Sequence, residues 1–403
     1  MHIEPFGLER WFAKHEHEAD IMLAESGIRS LAADRFDLDP GTLDYVIPTN
    51  GDPTLRASVG ERYDRSADEV LFTCGTQEAN FLSFLALLGD EDGVSGEGGG
   101  GTRAGIGSGT HAVVVTPTYQ ALHAVPETFG DVTPVELEPP AWTLDADRIA
   151  EACREDTAVV VVNNPNNPTG RYHDETTMRA VYDVAAEHDA YLLCDEVYRL
   201  LAENPIPPVA SIGAHGISTT SLTKAYGLAG LRFGWIAGPE PIIDRAWRWK
   251  DYTTISPSLF GQHVARQALG RRERRILQEN RDLAHDHRSR VADWVDRLGL
   301  DWYEPVGVNG FVTVPDGFAD AESFCRTVVE EASVVLAPGH LFGHPDRFRI
   351  GFGLPTDDLE EGLSRVRRVV RDHGRTGART DGGVDGRADG GAGGRTRNGG
   401  IDA

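Results

Sequence analysis

The chain has 403 residues, 40% of them hydrophobic, and carries 63 acidic against 39 basic residues for a net charge of −24 at pH 7. That length and apolar content can bury a substantial core in two domains or one large one, while the charge argues against nucleic acid or an anionic membrane as partner. Acidity spread along a lysine-poor chain also suits a protein working in concentrated salt, where screening removes the self-repulsion. Cys74, Cys153, Cys194 and Cys325 lie far apart with no C-x-x-C or zinc-like spacing, so they read as buried thiols in a reducing compartment, and no metal site is expected. The start lacks a signal-peptide pattern and no apolar run reaches membrane-spanning length, which makes a soluble, cytoplasmic protein the expectation.

The amino-terminal stretch, Leu8-Glu-Arg-Trp-Phe through Ser30, carries Trp11 and several histidines. Short apolar runs then alternate with amphipathic stretches: Val70-Leu-Phe-Thr, Ala112-Val-Val-Val-Thr, Ala158-Val-Val-Val-Val, Ala190-Tyr-Leu-Leu-Cys, Ile217-Ser-Thr-Thr and Phe233-Gly-Trp-Ile-Ala. Such continuous apolar strands predict an α/β fold with a mainly parallel sheet buried on both faces by helices. The first strand leads through Cys74-Gly-Thr-Gln77 into a helix over residues 78–88. Residues 93–109 are glycine-rich and read as a flexible surface insert. A long, charged, amphipathic stretch over residues 260–298 predicts one or two helices leading into a second, smaller domain, and residues 374–403 read as a disordered Gly/Arg/Asp tail.

The distinctive polar residues fall at the carboxyl ends of these strands, where open α/β sheets bind ligands. Asn163-Asn-Pro-Asn-Asn167-Pro-Thr-Gly170 follows one strand; its prolines and glycine fix an irregular loop whose amides can meet a ligand, although alone it is an ordinary Asn/Pro turn. Asp195-Glu-Val-Tyr198 follows the next and places a carboxylate and a phenol within one turn, residues that in isolation are more often a cap and a packed aromatic. Lys224 stands in Ser221-Leu-Thr-Lys224-Ala-Tyr-Gly-Leu-Ala-Gly-Leu-Arg232, in a chain whose other lysines are Lys14 and Lys250. An amine kept where arginine is preferred points to chemistry that a guanidinium cannot perform, namely Schiff-base formation.

In this order and spacing, from about residue 45 to 354, the segments resemble the fold-type-I pyridoxal-phosphate enzymes and, within them, the class I/II aminotransferases. The resemblance implies an aspartate-aminotransferase-like fold, with a seven-stranded, mainly parallel sheet in a large cofactor-binding domain over residues 41–275. A smaller α+β domain over residues 276–373 follows, to which residues 1–40 contribute. It implies pyridoxal 5'-phosphate as cofactor, bound by Lys224 as a Schiff base, with Lys224 then moving the substrate's α proton. Asp195 would pair with the pyridine N–H, Tyr198 and Asn167 with the ring oxygen, and Tyr119 would stack on the ring; taken alone, Tyr119 is as readily a surface tyrosine in a Pro turn. Gly75, Thr76 and Gln77 at a helix N-terminus, with Ser221 and Arg232, would hold the phosphate. Tyr45 matches a tyrosine that reaches the phosphate of the neighbouring subunit, which implies a homodimer with a shared active site; it is otherwise an ordinary packed residue. Arg349, in Phe348-Arg-Ile-Gly-Phe-Gly353, matches the arginine that clamps the substrate carboxylate beside Asn167.

The amino terminus departs from the aspartate and aromatic enzymes: it lacks their glycine-and-proline substrate loop, and no second arginine for a side-chain carboxylate is identifiable. With Pro338-Gly-His-Leu-Phe-Gly343 it is more similar to the branch of capreomycidine synthase and aminocyclopropane-carboxylate synthase. Amino transfer between an α-amino acid and a 2-oxo acid is therefore the leading expectation. A lyase or cyclase on the same scaffold is the alternative, since fold and cofactor do not fix the outcome. A cofactor-sensing regulator is disfavoured, because no DNA-binding module fits before Tyr45 and the charge opposes one.

Overall fold

The computed structural model describes residues 3–89 and 109–380. Its large sheet contains β1 (Val70–Thr73), β2 (His111–Thr116), β3 (Asp131–Glu136), β4 (Thr157–Asn163), β5 (Tyr191–Asp195), β6 (Gly216–Ser221) and β7 (Gly234–Ala237), in the order β1-β7-β6-β5-β4-β2-β3. β7 runs antiparallel to both neighbours, and the remaining pairings are parallel. The expected α/β fold with a mainly parallel seven-stranded sheet is therefore present.

Side chains alternate across this sheet and divide its core in two. Val113, Val115, Val160, Val162 and Leu192 face one side and pack with Met178, Val181 and Ala185 of helix α3 (Glu175–Glu187). Val114, Val159, Val161 and Leu193 face the other, against Ala79 and Leu82 of α2 (Gly75–Leu88) and Ile242 and Ala246 of α4 (Glu240–Lys250). Because both faces are covered, the strands can be apolar throughout. β3 escapes the apolar pattern because, unlike β1 at the opposite edge, it is largely uncovered: of Asp131-Val-Thr-Pro-Val-Glu136 only Val135 is buried, and Pro134 is tolerated at the edge of the sheet.

Residues 260–298 form two helices, α5 (Leu259–Ala268) and α6 (Glu273–Leu298), and Gly299 ends the second with a left-handed φ of +67°. Beyond them β8 (Asn309–Thr313), β9 (Ala337–Pro338) and β10 (Arg347–Gly351) make an antiparallel sheet in the order β9-β10-β8, covered by α7 (Ala321–Ala332) and α8 (Thr356–Thr380). α8 continues to Thr380, so the segment expected to be a tail from residue 374 begins inside a helix. The rest of that tail, and nearly all of the glycine-rich insert, lie outside the described residues. No helix among the described residues is long and apolar enough to cross a membrane.

The amino-terminal segment binds to the small sheet. Ile21–Met22 pairs in parallel with Val334–Val335, and the Gly351 N–H donates to the Leu23 carbonyl. A Cβ on Gly351 would lie 1.7 Å from the Glu25 carbonyl oxygen, so glycine is what lets this segment cross β10. That crossing carries α1 (Gly7–His15) and residues 23–27 to the carboxyl ends of the large sheet, beside Lys224 and Tyr119.

Candidate active site

β1 ends at Thr73, and Cys74-Gly75-Thr76 turns the chain into α2. Gly75 has φ +79°, a conformation that favours glycine, and a Cβ there would lie 2.7 Å from Arg232 Nη2 and displace the tip of that side chain. Glu78 steadies the turn: its Oε2 accepts from the Cys74 N–H at 2.5 Å and meets the fully buried Lys250 Nζ at 3.4 Å. Thr76 Oγ1 is buried with no hydrogen-bond partner among the described residues. Ser221 ends β6, and Arg232 Nη1 donates to the Ala229 carbonyl at 3.2 Å without pairing to any carboxylate among the described residues. A helix N-terminus, an unpartnered hydroxyl, a serine and an unpaired guanidinium form a receptor for an anion.

Asp195 is the last residue of β5 and is buried. Its Oδ2 accepts from Asn80 Nδ2 at 2.9 Å and its Oδ1 from the Val197 N–H at 3.1 Å. Burial pushes its pKa up to about 6, opposed by these two hydrogen bonds and by the Lys224 charge. Such a carboxylate wants a cation beside it. Lys224, three residues past β6, donates from Nζ to Ser26 Oγ at 3.2 Å and lies 6.0 Å from the centroid of the Tyr198 ring. The loop after β4 is tied to β5 by Asn163, whose Nδ2 donates to the Asp195 carbonyl and whose Oδ1 accepts from the Asn167 N–H at 2.7 Å. Tyr119, following β2, donates its hydroxyl to Glu9 Oε1 at 3.0 Å; burial and that carboxylate push its pKa up.

Arg349, on β10, is 1% exposed. Nη1 donates to Asn167 Oδ1 at 3.0 Å, Nη2 to the Ala24 carbonyl at 2.6 Å, and Nε has no partner. Burial lowers its pKa, yet a guanidinium stays charged, so this is a buried cation with no carboxylate counter-ion among the described residues.

Thr76, Gln77, Tyr119, Asn167, Asp195, Tyr198, Ser221, Lys224, Arg232 and Arg349 all line one cavity of about 360 Å³ at the carboxyl ends of the large sheet. Gly75 stands behind Arg232 rather than on the cavity wall. Tyr45 is 65% exposed and does not line it. A wider groove of about 800 Å³, bordered by Glu136, Arg148 and His344, contains neither the lysine nor Arg349.

Sequence reading missed several members of the cavity and its support. Asn80 was legible as the polar residue inside the apolar run of α2, and Asn163 as the first residue of a motif already singled out. Ser26 and Glu25 follow no pattern and arrive through the crossing of β10. From α1 and the residue that follows it, Leu8, Glu9, Phe12 and Glu16 line the cavity, whereas Trp11 donates to the Leu336 carbonyl and packs at a tilt against buried His15. Spacing of four residues along the helix, 8-12-16 against 11-15, separates the two faces.

The donor set fits pyridoxal phosphate. Thr76 Oγ1 and Arg232 could donate to a phosphate, Asp195 could face a protonated ring nitrogen, and Lys224 could supply the amine.

The model of the family described as Aminotransferase class I and II matches residues 24–366. Capreomycidine synthase of Streptomyces vinaceus is 30% identical over 386 residues, covering 91% of this chain and 94% of that protein. A probable aspartate/prephenate aminotransferase of Thermus aquaticus is 27% identical over 362 residues, covering 86% and 87%. The solved structure of a PLP-dependent aminotransferase from Streptococcus suis 89-1591 superposes with a TM-score of 0.83 at 28% identity, covering 93% of this chain and 99% of that one.

Proposed function

The chain belongs to the class I and II aminotransferases, enzymes dependent on pyridoxal phosphate, and from that premise we propose how its own residues divide the transfer of an amino group between an α-amino acid and a 2-oxo acid. The observation that carries the reading is the convergence of Lys224, Asp195 and Arg349 on one cavity. When bound, pyridoxal phosphate supplies an aldehyde that condenses with amines and a ring that withdraws electrons from the substrate's α-carbon.

Thr76, the amides opening α2, Ser221 and Arg232 would hold the phosphate. Asp195 would pair with the ring nitrogen and favour its protonated form, Tyr198 and Asn167 would hydrogen-bond the ring oxygen, and Tyr119 would cover the ring. Lys224 Nζ would tether the cofactor at rest; displaced by the substrate amine, it would take the α proton from the substrate carbon and deliver it to the former aldehyde carbon of the cofactor, so that hydrolysis releases a 2-oxo acid and leaves the amino group behind. Arg349 grips the α-carboxylate with its fork, and Asn167, bonded to Nη1, sets the angle of that fork.

Leu43, Tyr45, Ile47, Tyr252, Ile255 and Phe260 are large apolar side chains left exposed on one chain. They support a homodimer in which Tyr45 completes the phosphate site of the partner. Four free cysteines support a reducing, cytoplasmic setting, and the net charge of −24 supports work at high salt. The similarity to capreomycidine synthase favours a second reading, elimination or cyclisation on the same cavity. Product analysis separates them: holoenzyme and an amino acid should yield a stoichiometric 2-oxo acid in one half-reaction, whereas ammonia or a cyclic product with the cofactor unchanged decides for the second reading.

A further inference from the structure

The charged residues lining the cavity are Lys224, Arg232 and Arg349 against Asp195, Glu9, Glu16 and Glu25. On the reading above, Asp195 is matched by the ring nitrogen, Arg232 by the phosphate, Arg349 by the α-carboxylate, and Lys224 is consumed as the tethering amine. Glu9, Glu16 and Glu25 are left over. None of them makes an ion pair with a lysine or arginine among the described residues; Glu9 accepts from Tyr119, Glu9 and Glu25 act on Arg349 only at longer range, and Glu16 meets exposed His17 at 3.6 Å.

Independently of these carboxylates, the cavity wall carries a buried cation: Arg349 is 1% exposed, and its Nε has no partner among the described residues. Its guanidinium lies 6.0 Å from the Phe12 ring, and Phe12 stands between Glu9, one turn before, and Glu16, one turn after, on the cavity side of α1. An amino acid held by its α-carboxylate at Arg349 therefore has an aromatic wall and then carboxylates beside it. Glu25 closes the other side: a Cβ on Gly27 would touch Glu25 Oε2 at 3.9 Å and Lys224 Nζ at 3.8 Å. A second carboxylate on the substrate would meet three like charges and no remaining cation.

We propose that Glu9, Glu16 and Glu25 form the side-chain subsite and select an amino acid with an apolar stem and a cationic end, an ammonium or a guanidinium. The inference rests on the aminotransferase reading only for the placement of the α-carboxylate.

The test uses holoenzyme at one fixed salt concentration and four free amino acids: lysine, arginine, norleucine and glutamate. Dissociation constants come from calorimetry and half-reaction rates from the cofactor absorbance. Lysine and arginine should bind at least about tenfold tighter than norleucine, and glutamate more weakly still. Glu9→Gln, Glu16→Gln and Glu25→Gln should each narrow the lysine-to-norleucine ratio about threefold or more, through KM rather than kcat. Equal binding of lysine and norleucine, or an unchanged ratio in the triple variant with its circular dichroism intact, overturns the proposal. If no amino acid yields a 2-oxo acid, the aminotransferase reading fails, while the dissociation constants still decide the side-chain subsite.

Discussion

Arg349 donates Nη1–H to Asn167 Oδ1 across 3.0 Å, joining the small sheet to the loop after β4. With the Nη2 bond to the Ala24 carbonyl at 2.6 Å, it fixes both ends of the buried guanidinium fork. Arg349→Lys keeps the charge and loses the fork, so the KM for the amino acid should rise about 100-fold while cofactor affinity changes little. Asn167→Ala strips Nη1 of its acceptor in a fully buried position. It should cost about 1–3 kcal/mol in thermal unfolding of the cofactor-free protein and raise KM as well. An Asn167→Ala protein with unchanged melting and KM would show that the contact does not orient the arginine.

Asp195 predicts a pH dependence of cofactor binding. In the cofactor-free protein its pKa is pushed up to about 6 by burial, above its ordinary value of 3.8. The carboxyl is thus neutral below pH 6 and must release a proton before it can face a cationic ring nitrogen. Affinity for pyridoxal phosphate should fall about tenfold for each pH unit below 6 on this account. The same raised pKa means that Asp195's contribution to the cofactor-free fold is present below pH 4 and is lost, by about 3 kcal/mol, as pH rises through 6. Fluorescence titrations of wild type and Asp195→Asn from pH 5 to 8 check this. Ionisation of the phosphate is common to both, so the ratio of their dissociation constants should widen with rising pH and level off above 6; a flat ratio contradicts the assignment.

The turn into α2 gives a test that separates phosphate from ring. Thr76 Oγ1 has no partner, so Thr76→Val should leave cofactor-free stability nearly unchanged and weaken pyridoxal phosphate about three- to tenfold. Gly75→Ala strains a residue at φ +79° and drives its methyl into Arg232, with an expected loss of about 30-fold or more. Both losses should vanish when pyridoxal without its phosphate is titrated. Equal losses for the two ligands would place these residues away from the phosphate.

The large sheet was readable because its strands are buried on both faces, so valine runs announce them, and the polar residues of the candidate site interrupt those runs at their carboxyl ends. β3 was hidden for the opposite reason, as an edge strand with alternating polar residues and a proline. Lys224, Asp195 and Arg349 stand out by residue type against their local background, and the fold gathers them. Glu9, Glu16 and Glu25 do not stand out, because carboxylates are abundant in this chain. Only the crossing of the amino-terminal segment over β10, allowed by Gly351, makes these three differ from any other surface glutamate. Local pattern thus exposes the coenzyme chemistry, whereas specificity depends on a contact between distant segments.

The exposed Tyr45 yields the prediction that reaches beyond one chain. It lies outside its own cavity, with Leu43 and Ile47 exposed beside it, so a role at the phosphate requires a second copy. Sedimentation should give a dimer whose dissociation follows Tyr252→Asp or Phe260→Asp, since a charge at a buried apolar contact costs several kcal/mol. Complementation then tests the sharing directly. Lys224→Ala leaves Tyr45 intact, and Tyr45→Ala leaves Lys224 intact; a hybrid of the two holds one site with both defects and one with neither. Unfolding and refolding an equal mixture should therefore restore about a quarter of wild-type activity, given random pairing. If the mixture stays at the average of the two separate variants, Tyr45 serves its own chain or none, and the unpaired phosphate donors around Arg232 need no partner subunit.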